Sequence, residues 1–375
     1  MQIIFQTIDW KRRILQQLFR FRSWLASLKR WQALLLILIV STIISGFLYQ
    51  YIYINRSWFL LEYEEPLPEH KPFVKLDHLI EISELLSASI EVAQRGGQAV
   101  RQIYLQNSVT QLNQSVVTNA DLRSNQEIVA GLKKVWPSLR VVSEEQLDSK
   151  VLAKKINSIQ YPNLNRPELA HLSSQFLAVP KDLVTVWVDP LDATHEYIEH
   201  LHQFVTVMVC VAIKGKPVIG VIYNPFTSNT VWAWIGHGRS KDLISYAKLG
   251  RKSTPLDVTV SRSHAGKVNT IIKTTFGQDV RITPAGGAGY KTLSIAKNIA
   301  DLYIHSTKIK KWDICAGNAI LRSLGGKMTS FSGNQIDYSQ ADTPVHDGGI
   351  VASLPINEYS HEKFVSASGR LLDLV

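Results

Sequence analysis

From Trp31 to Ile54 the chain has no charged side chain, only an apolar and small-polar run, WQALLLILIVSTIISGFLYQYIYI. A helix of about twenty such residues crosses a bilayer core of roughly 30 Å, so this segment is predicted to span a membrane. Core helices seldom stay uncharged over that length. A cleaved signal peptide has a shorter apolar region and does not normally carry thirty residues in front of it. Beyond the span the pattern changes. DHLIEISELLSASIEVAQRGGQAVRQIYLQ keeps helical apolar spacing over several turns, and ADLRSNQEIVAGLKKVW does so up to Pro137. LRVVSEE follows as a strand, and residues 146–182, polar with scattered prolines, have the character of an insertion. Strand-like runs then dominate: LVTVWVDP, FVTVMVCVAIKGKPVIGVIYNP with a hairpin at Lys214–Gly215, and TVWAWIG. DVTVSRS, NTIIKTT, a helix near YKTLSIAKNIA, the strand ADLYIHS and the helix DICAGNAILRSLGG complete the body. Residues 71–375 show no internal repeat or low-complexity tract. Strands and helices alternate without a strict βαβ rhythm, which favours a layered mixed α/β body over a Rossmann fold or an α/β barrel.

Charge adds direction to this layout. The formal net charge of +10 would point to a polyanion were it spread over the body. Residues 1–30 hold Lys11, Arg12, Arg13, Arg20, Arg22, Lys29 and Arg30 against Asp9 alone, so +6 of the total sits there and only +4 remains. A diffuse +4 is no nucleic-acid footprint, and no nucleic-acid polymer is expected as a partner. The basic flank precedes the apolar span, and Glu62, Glu64 and Glu65 follow it. By the positive-inside rule the N-terminus stays cytosolic and the C-terminal body crosses, a type II arrangement. The expected organisation is a cytosolic tail at 1–30, an anchor at 31–54, a luminal stem at 55–72 containing LEYEEPLPEHKPF, and a luminal domain at 73–375. Sequons stand at Asn55 and Asn113. Cys210 and Cys315 each lie in an apolar run and are expected to be small buried hydrophobes.

The sharpest chemical signal is WVDPLDATHEY. A hydrophobic strand runs into Asp189, Pro190 is expected to stop the ladder, and Asp192 follows. Such a turn can offer two carboxylates and the Leu191 carbonyl to one cation, the hard oxygen set that magnesium takes. Asp before Pro is also an ordinary turn former. Glu144 and Glu145 close the strand RVVSEE, where paired carboxylates are costly without a cation or solvent. Asp313 in KKWDICAG has the context of a helix N-cap, and Asp121 in VTNADLRSN could cap as well.

Taken in order, SEE at 143–145, DPLDAT at 189–194 and WDICAG at 312–317 resemble the lithium-sensitive, magnesium-dependent phosphatase superfamily that includes inositol monophosphatase and the 3′(2′),5′-bisphosphate nucleotidases. The resemblance covers roughly residues 75–355. The common motif has Gly where this chain has Ala193; that departure, with THEY after it, VSRSHAG, PAGGAGYK and ADLYIH…KKWDICAGNAI, is similar to the Golgi-resident nucleotidase branch. The family fold this implies is a layered α-β-α-β-α sandwich in one catalytic body. By matching motif, the resemblance implies that Glu144, Asp189, the Leu191 carbonyl, Asp192 and Asp313 hold Mg2+, and that Asp121 and Thr194 orient and deprotonate the attacking water. It places Ser261, His264, Gly287 and Lys291 against the substrate.

The activity so implied is hydrolysis of the 3′-phosphate of 3′-phosphoadenosine 5′-phosphate (PAP) to AMP and phosphate in the Golgi lumen, which would clear a sulfotransferase product. The small-molecule nucleotide is then the partner, with the membrane held by one N-terminal helix and a homodimer left open. An inositol-phosphate phosphatase with the same metals is the nearest rival, and an inactive membrane-tethered nucleotide-binding module is the rival of another class. Intact Glu144, Asp189, Asp192, Thr194 and Asp313 speak against the last. Ser263–His264 carries no nucleophile elbow, which argues against a Ser–His–Asp system.

Overall fold

Two strands of wholly buried residues, Val184–Asp192 and Thr206–Ile213, are the second and third strands of a six-stranded sheet. Their apolar runs do not alternate because helices cover both faces of that sheet. The computed structural model describes residues 78–107, 114–172, 177–243, 255–263, 268–339 and 342–372. The chain divides into Met1–Phe73 and Val74–Val375, and every described residue belongs to the second unit. The expected anchor, its tail and stem, Asn55, Asn113 and His264 lie outside the described residues. Among the described residues no helix is long and apolar enough to cross a membrane.

The first sheet runs in the order Arg140–Ser143 (β1), Val184–Asp192 (β2), Thr206–Ile213 (β3), Lys216–Asn224 (β4), Asn229–Trp234 (β5) and Gly238–Arg239 (β6). β1 is parallel to β2, and the remaining pairs are antiparallel. Lys214 and Gly215 both have positive φ, 49° and 76°, the primed turn that closes a tight hairpin between β3 and β4. The second sheet comprises Asp257–Ser261 (β7), Arg281–Ala285 (β8), Leu302–His305 (β9), Lys327–Thr329 (β10) and Ile350–Ser353 (β11), in the order β8-β7-β9-β11-β10.

Helices Ile82–Asn107 (α1) and Gln114–Val135 (α2) pack on the outer face of the first sheet. The polar 146–182 segment contributes Ser149–Ser158 (α3), which buries none of its residues, is capped by Asp148 and packs on α2 with a Lys155–Glu127 ion pair. A short helix, Thr194–Ile198 (α4), follows β2, and Val268–Phe276 (α5) lies in the second half. Ala288–Ala296 (α6) and Lys311–Ser323 (α7) contact strands of both sheets and fill the space between them. Glu358–Leu372 (α8) packs with α5 against the second sheet. The result is the expected α-β-α-β-α layering. Trp187, Met208, Tyr303, Ile314, Ile320 and Tyr338 belong to the core between the sheets.

Four local expectations are corrected. Pro190 does not end its strand: pairing with β3 resumes at Asp192↔Thr206 after a register shift. The proline is tolerated because β1 ends opposite Val188, so no neighbour on that side asks for its missing N–H. Asp121 lies inside α2, which starts at Gln114, and is no cap. Asp313 is the third residue of α7, and its Oδ2 accepts from the Lys310 backbone N–H at 3.1 Å. Cys210 and Cys315 are buried as expected but are joined in a disulfide.

Candidate active site

The bulge after Asp189 and the turn into α4 set the first half of the site. Asp189 Oδ1 accepts from the Leu191 N–H at 3.1 Å, which folds the DPLD segment back on itself. Ala193 then takes φ 67° and ψ 46°, left-handed backbone that any side chain resists, so the glycine of the common family motif has a direct steric reason. Thr194 opens α4 immediately afterwards.

Helix α2 ties this loop to the second acidic segment. Ser124 Oγ donates to the Pro190 carbonyl at 2.7 Å. Its neighbour Asn125 donates to the Glu145 carbonyl at 2.7 Å and accepts from Ser143 Oγ at 2.7 Å. Asp121 sits one helical turn earlier, so one helix carries the expected base and both buttresses.

The other half comes from α6 and α7. Asp192 Oδ1 accepts from the Ala288 N–H at 3.1 Å, and Oδ2 accepts from the Gly289 N–H at 2.8 Å and Thr206 Oγ1 at 2.9 Å. The start of α6 therefore grips this carboxylate. Gly287 has φ 60°, and a Cβ there would stand 2.6 Å from the Phe204 carbonyl oxygen and 2.9 Å from Asp192 Oδ2. No other residue fits. Lys291, 4% exposed, donates to the carbonyls of Gly287 at 2.6 Å and Ala285 at 3.3 Å, bracing the same turn.

One cavity of about 370 Å³ gathers these groups. Glu144, Asp189, Leu191, Asp192, Thr194 and Asp313 line it, and so do Ser261, Gly287 and Lys291. Of the sequence-derived site residues that are described, Asp121 alone is not on its wall. Its helix, α2, packs on α4, the helix that Thr194 opens.

Burial and mutual repulsion shift the titration of these acids. Burial first, then the charges of Glu144, Asp192, Asp313 and Asp121, hold the Asp189 carboxyl well above its ordinary range. Asp313 is raised in the same way by burial, Asp192 and Glu144. Glu144 keeps solvent contact at the cavity edge, yet loss of hydration and the Asp192 charge push it up to about 7 against the pull of Lys310. Asp121 is pushed up to about 8 by burial and by Glu144 and Glu145, and its Oδ1 is buried with no hydrogen-bond partner. Burial raises Asp192 too, but Lys291 and its three hydrogen bonds oppose the shift. Burial lowers Lys291 to about 8 despite Asp192, Glu196 and Asp313 nearby.

The donor set suits a hard cation: carboxylates and a backbone carbonyl, with no sulfur or imidazole among the assigned ligands. Among the described residues no group of three or more acidic, His or Cys side chains already stands at coordination spacing. Mutual repulsion among these acids is the strain that a cation would relieve.

Several contributors escaped the sequence. Glu196, 4% exposed, borders the cavity and stands 3.8 Å from the Arg262 guanidinium, which also pairs with Glu199 at 2.5 Å. The hydroxyl of Tyr303 is buried at the cavity without a hydrogen-bond partner. Ser124, Asn125 and Thr206 act only through partners distant in sequence.

Comparison with known proteins agrees with this architecture. The inositol monophosphatase family matches residues 81–371. The chain is 40% identical over 309 residues to inositol monophosphatase 3 of Danio rerio, covering 79% of this chain and 87% of that protein. It is 41% identical over 293 residues to the Golgi-resident adenosine 3′,5′-bisphosphate 3′-phosphatase of Rattus norvegicus, covering 74% of this chain and 79% of the other. The crystal structure of CysQ from Bacteroides thetaiotaomicron, a bacterial member of the inositol monophosphatase family, shares the fold with a TM-score of 0.54 and 21% identity, over 72% of this chain and 97% of CysQ. With acids from three strand and helix ends meeting in one cavity of this fold, the chain belongs to the inositol monophosphatase family.

Proposed function

We propose that the chain is a magnesium-dependent phosphatase that hydrolyses the 3′-phosphate of PAP to AMP and phosphate, anchored in the Golgi membrane with its catalytic domain in the lumen. The convergence of Glu144, Asp189, Asp192 and Asp313 on one cavity carries the reading. Those side chains and the Leu191 carbonyl would hold magnesium. Bound there, the metal lowers the pKa of a water and balances charge on the leaving oxygen. Thr194 takes a proton from the attacking water as Asp121 takes one from Thr194. Burial, Glu144 and Glu145 push Asp121 up to about 8 before a cation is bound; a cation that offsets Glu144 would lower it and leave the carboxylate ionised to accept that proton. No covalent phosphoenzyme is needed.

The remaining wall of the cavity favours a substrate with two phosphates. Ser261, the glycine turn and Lys291 line the same cavity as the acids, with Lys308 as a further cation, and His264 follows Ser263 in sequence. Relatives at about this identity include a protein named as an adenosine 3′,5′-bisphosphate 3′-phosphatase and one named as an inositol monophosphatase. The buried Cys210–Cys315 disulfide supports an oxidising compartment.

Phosphate release by the full chain, measured with PAP and with inositol monophosphate as magnesium is titrated, tests the proposal. PAP is expected to be the better substrate, with no turnover in chelator. Preference for inositol monophosphate would replace the nucleotide assignment with the rival one.

A further inference from the structure

A second cavity, of about 320 Å³, lies at the end of α7 opposite to Asp313. Arg322 is nine residues beyond Asp313, about 13 Å along the helix axis at 1.5 Å per residue. The last turns of α7, β10 with the loop after it, and α8 enclose this space.

Two polar groups in it are unsatisfied. The half-buried Arg322 guanidinium makes no hydrogen bond or ion pair with any described residue. A guanidinium carries five donors in a rigid fork, and partial burial without an acceptor is costly. Burial indeed lowers Arg322 from its ordinary value, opposed by nearby Tyr338. Asn318, 3% exposed, donates from Nδ2 to the Tyr338 hydroxyl at 3.0 Å, while its Oδ1 is buried with no partner. Exchanging the amide oxygen and nitrogen lets Tyr338 donate to Asn318 and puts an N–H donor where the orphan oxygen stands.

The other charges do not cancel Arg322. Lys327 and Glu362 pair with each other at 2.8 Å at the rim, leaving the guanidinium as the uncompensated charge. Gln335 adds an exposed amide. Ile336 and Val365 supply apolar flank for an organic group.

We propose that this cavity is a second anion site, separate from the catalytic one, that takes a phosphate monoester no larger than a nucleoside monophosphate. The Arg322 fork holds the phosphate oxygens, with the Asn318 amide as a further donor, and the organic part lies along Ile336 and Val365. The site stands independently of the identity of the substrate.

Calorimetric titration of the full chain in chelator tests this with AMP, inorganic phosphate and acetate as probes. AMP is expected to bind the metal-free protein, and the component of that binding which weakens at least tenfold in Arg322→Gln is expected to persist in Lys291→Ala, whose change is confined to the catalytic cavity. Absence of AMP binding at millimolar concentration overturns the proposal, as does binding unchanged by Arg322→Gln or abolished by Lys291→Ala. Inorganic phosphate binding as tightly as AMP removes the role of the organic part, and acetate binding as tightly removes the preference for phosphate. Should Arg322→Gln fail to fold, Gln335→Glu places a negative charge at the exposed rim instead. It is expected to weaken AMP several-fold with an unchanged Tm, and undiminished binding there overturns the site.

Discussion

Cys210 on β3 and Cys315 on α7 are joined by a disulfide across 105 residues of sequence, with their Cα atoms 5.7 Å apart. Both lie in the core between the sheets, 1% and 0% exposed. Asp313 lies in the first turn of the same helix, two residues before Cys315, so the bond fixes the helix that carries Asp313 to the sheet that carries Asp189 and Asp192. Closing a loop of this length stabilises a fold by roughly 2–5 kcal/mol. Cys315→Ala is therefore expected to lower the Tm of the full chain by several degrees and to weaken magnesium binding. Alkylation of the denatured, unreduced protein should label neither cysteine. Two reactive thiols, with a Tm indifferent to reductant, would remove the cross-link and its compartment argument together.

The uncharged Trp31–Ile54 run behind a basic flank predicts how the chain meets a membrane. In sealed microsomes, added protease should trim the N-terminal tail and spare the catalytic body. Digestion of the body before detergent is added would rule out a luminal domain.

Asp192 differs from its acidic neighbours in the three hydrogen bonds and the Lys291 charge that hold it. Asp192→Asn keeps the volume but turns an amide against the N–H groups of Ala288 or Gly289 and removes a charge from the ligand set. Turnover should fall roughly a hundredfold or more, the scale set by losing one preorganised charge-stabilising group. Magnesium affinity, followed by calorimetry, should fall with it while the circular dichroism spectrum is kept. Wild-type affinity in this variant would take Asp192 out of the ligand set.

How much of this was legible in sequence depends on how local each feature is. SEE, DPLDAT and WDICAG are contiguous, and every acid in them except Glu145 lines the cavity. The supports are another matter: Ser124 and Pro190 are 66 residues apart, and Asp192 and Gly289 are 97 apart. A serine in a helix and a glycine after a turn carry no local mark of such partners. The same distance hid the disulfide, since two isolated cysteines in apolar runs look like ordinary core residues. Ala193 was visible as a departure from the family motif, but only its φ of 67° shows what a glycine there would relieve.

The crowded carboxyls give the metal-free protein a pH dependence of definite sign. Glu144 at about 7, Asp121 at about 8, and the raised Asp189 and Asp313 bind protons more tightly folded than unfolded, where such groups titrate near 4. Their contribution to stability is full below the unfolded value and is lost as pH rises through 7 to 8. In chelator, Tm should decline from pH 5 to pH 8, and magnesium should flatten that decline. Parallel Tm curves with and without magnesium would show that the acids do not meet the ion.

Lys291 separates the nucleotide and inositol readings. Two of its N–H groups go to the Gly287 and Ala285 carbonyls, and its ammonium offsets Asp192 and Glu196. The third N–H is left for a phosphate at the cavity wall. PAP carries one phosphate to be cleaved and another that must be held, and the held one helps to position the first. A charge-assisted hydrogen bond contributes roughly 1.5–3 kcal/mol, so Lys291→Ala should cost PAP hydrolysis about ten- to a hundredfold in kcat/KM. The loss should appear mainly in KM if the contact is equally strong in ground and transition states. Inositol monophosphate, with no second phosphate, should lose much less. Burial lowers Lys291 to about 8 before a cation is bound, and a cation on Asp192 and Asp313 would lower it further, so the preference of the wild-type enzyme for PAP should shrink as pH rises toward that value, while Lys291→Ala should show no such change. Equal losses on both substrates would make Lys291 a brace for the glycine turn alone, and the second phosphate would then need another partner.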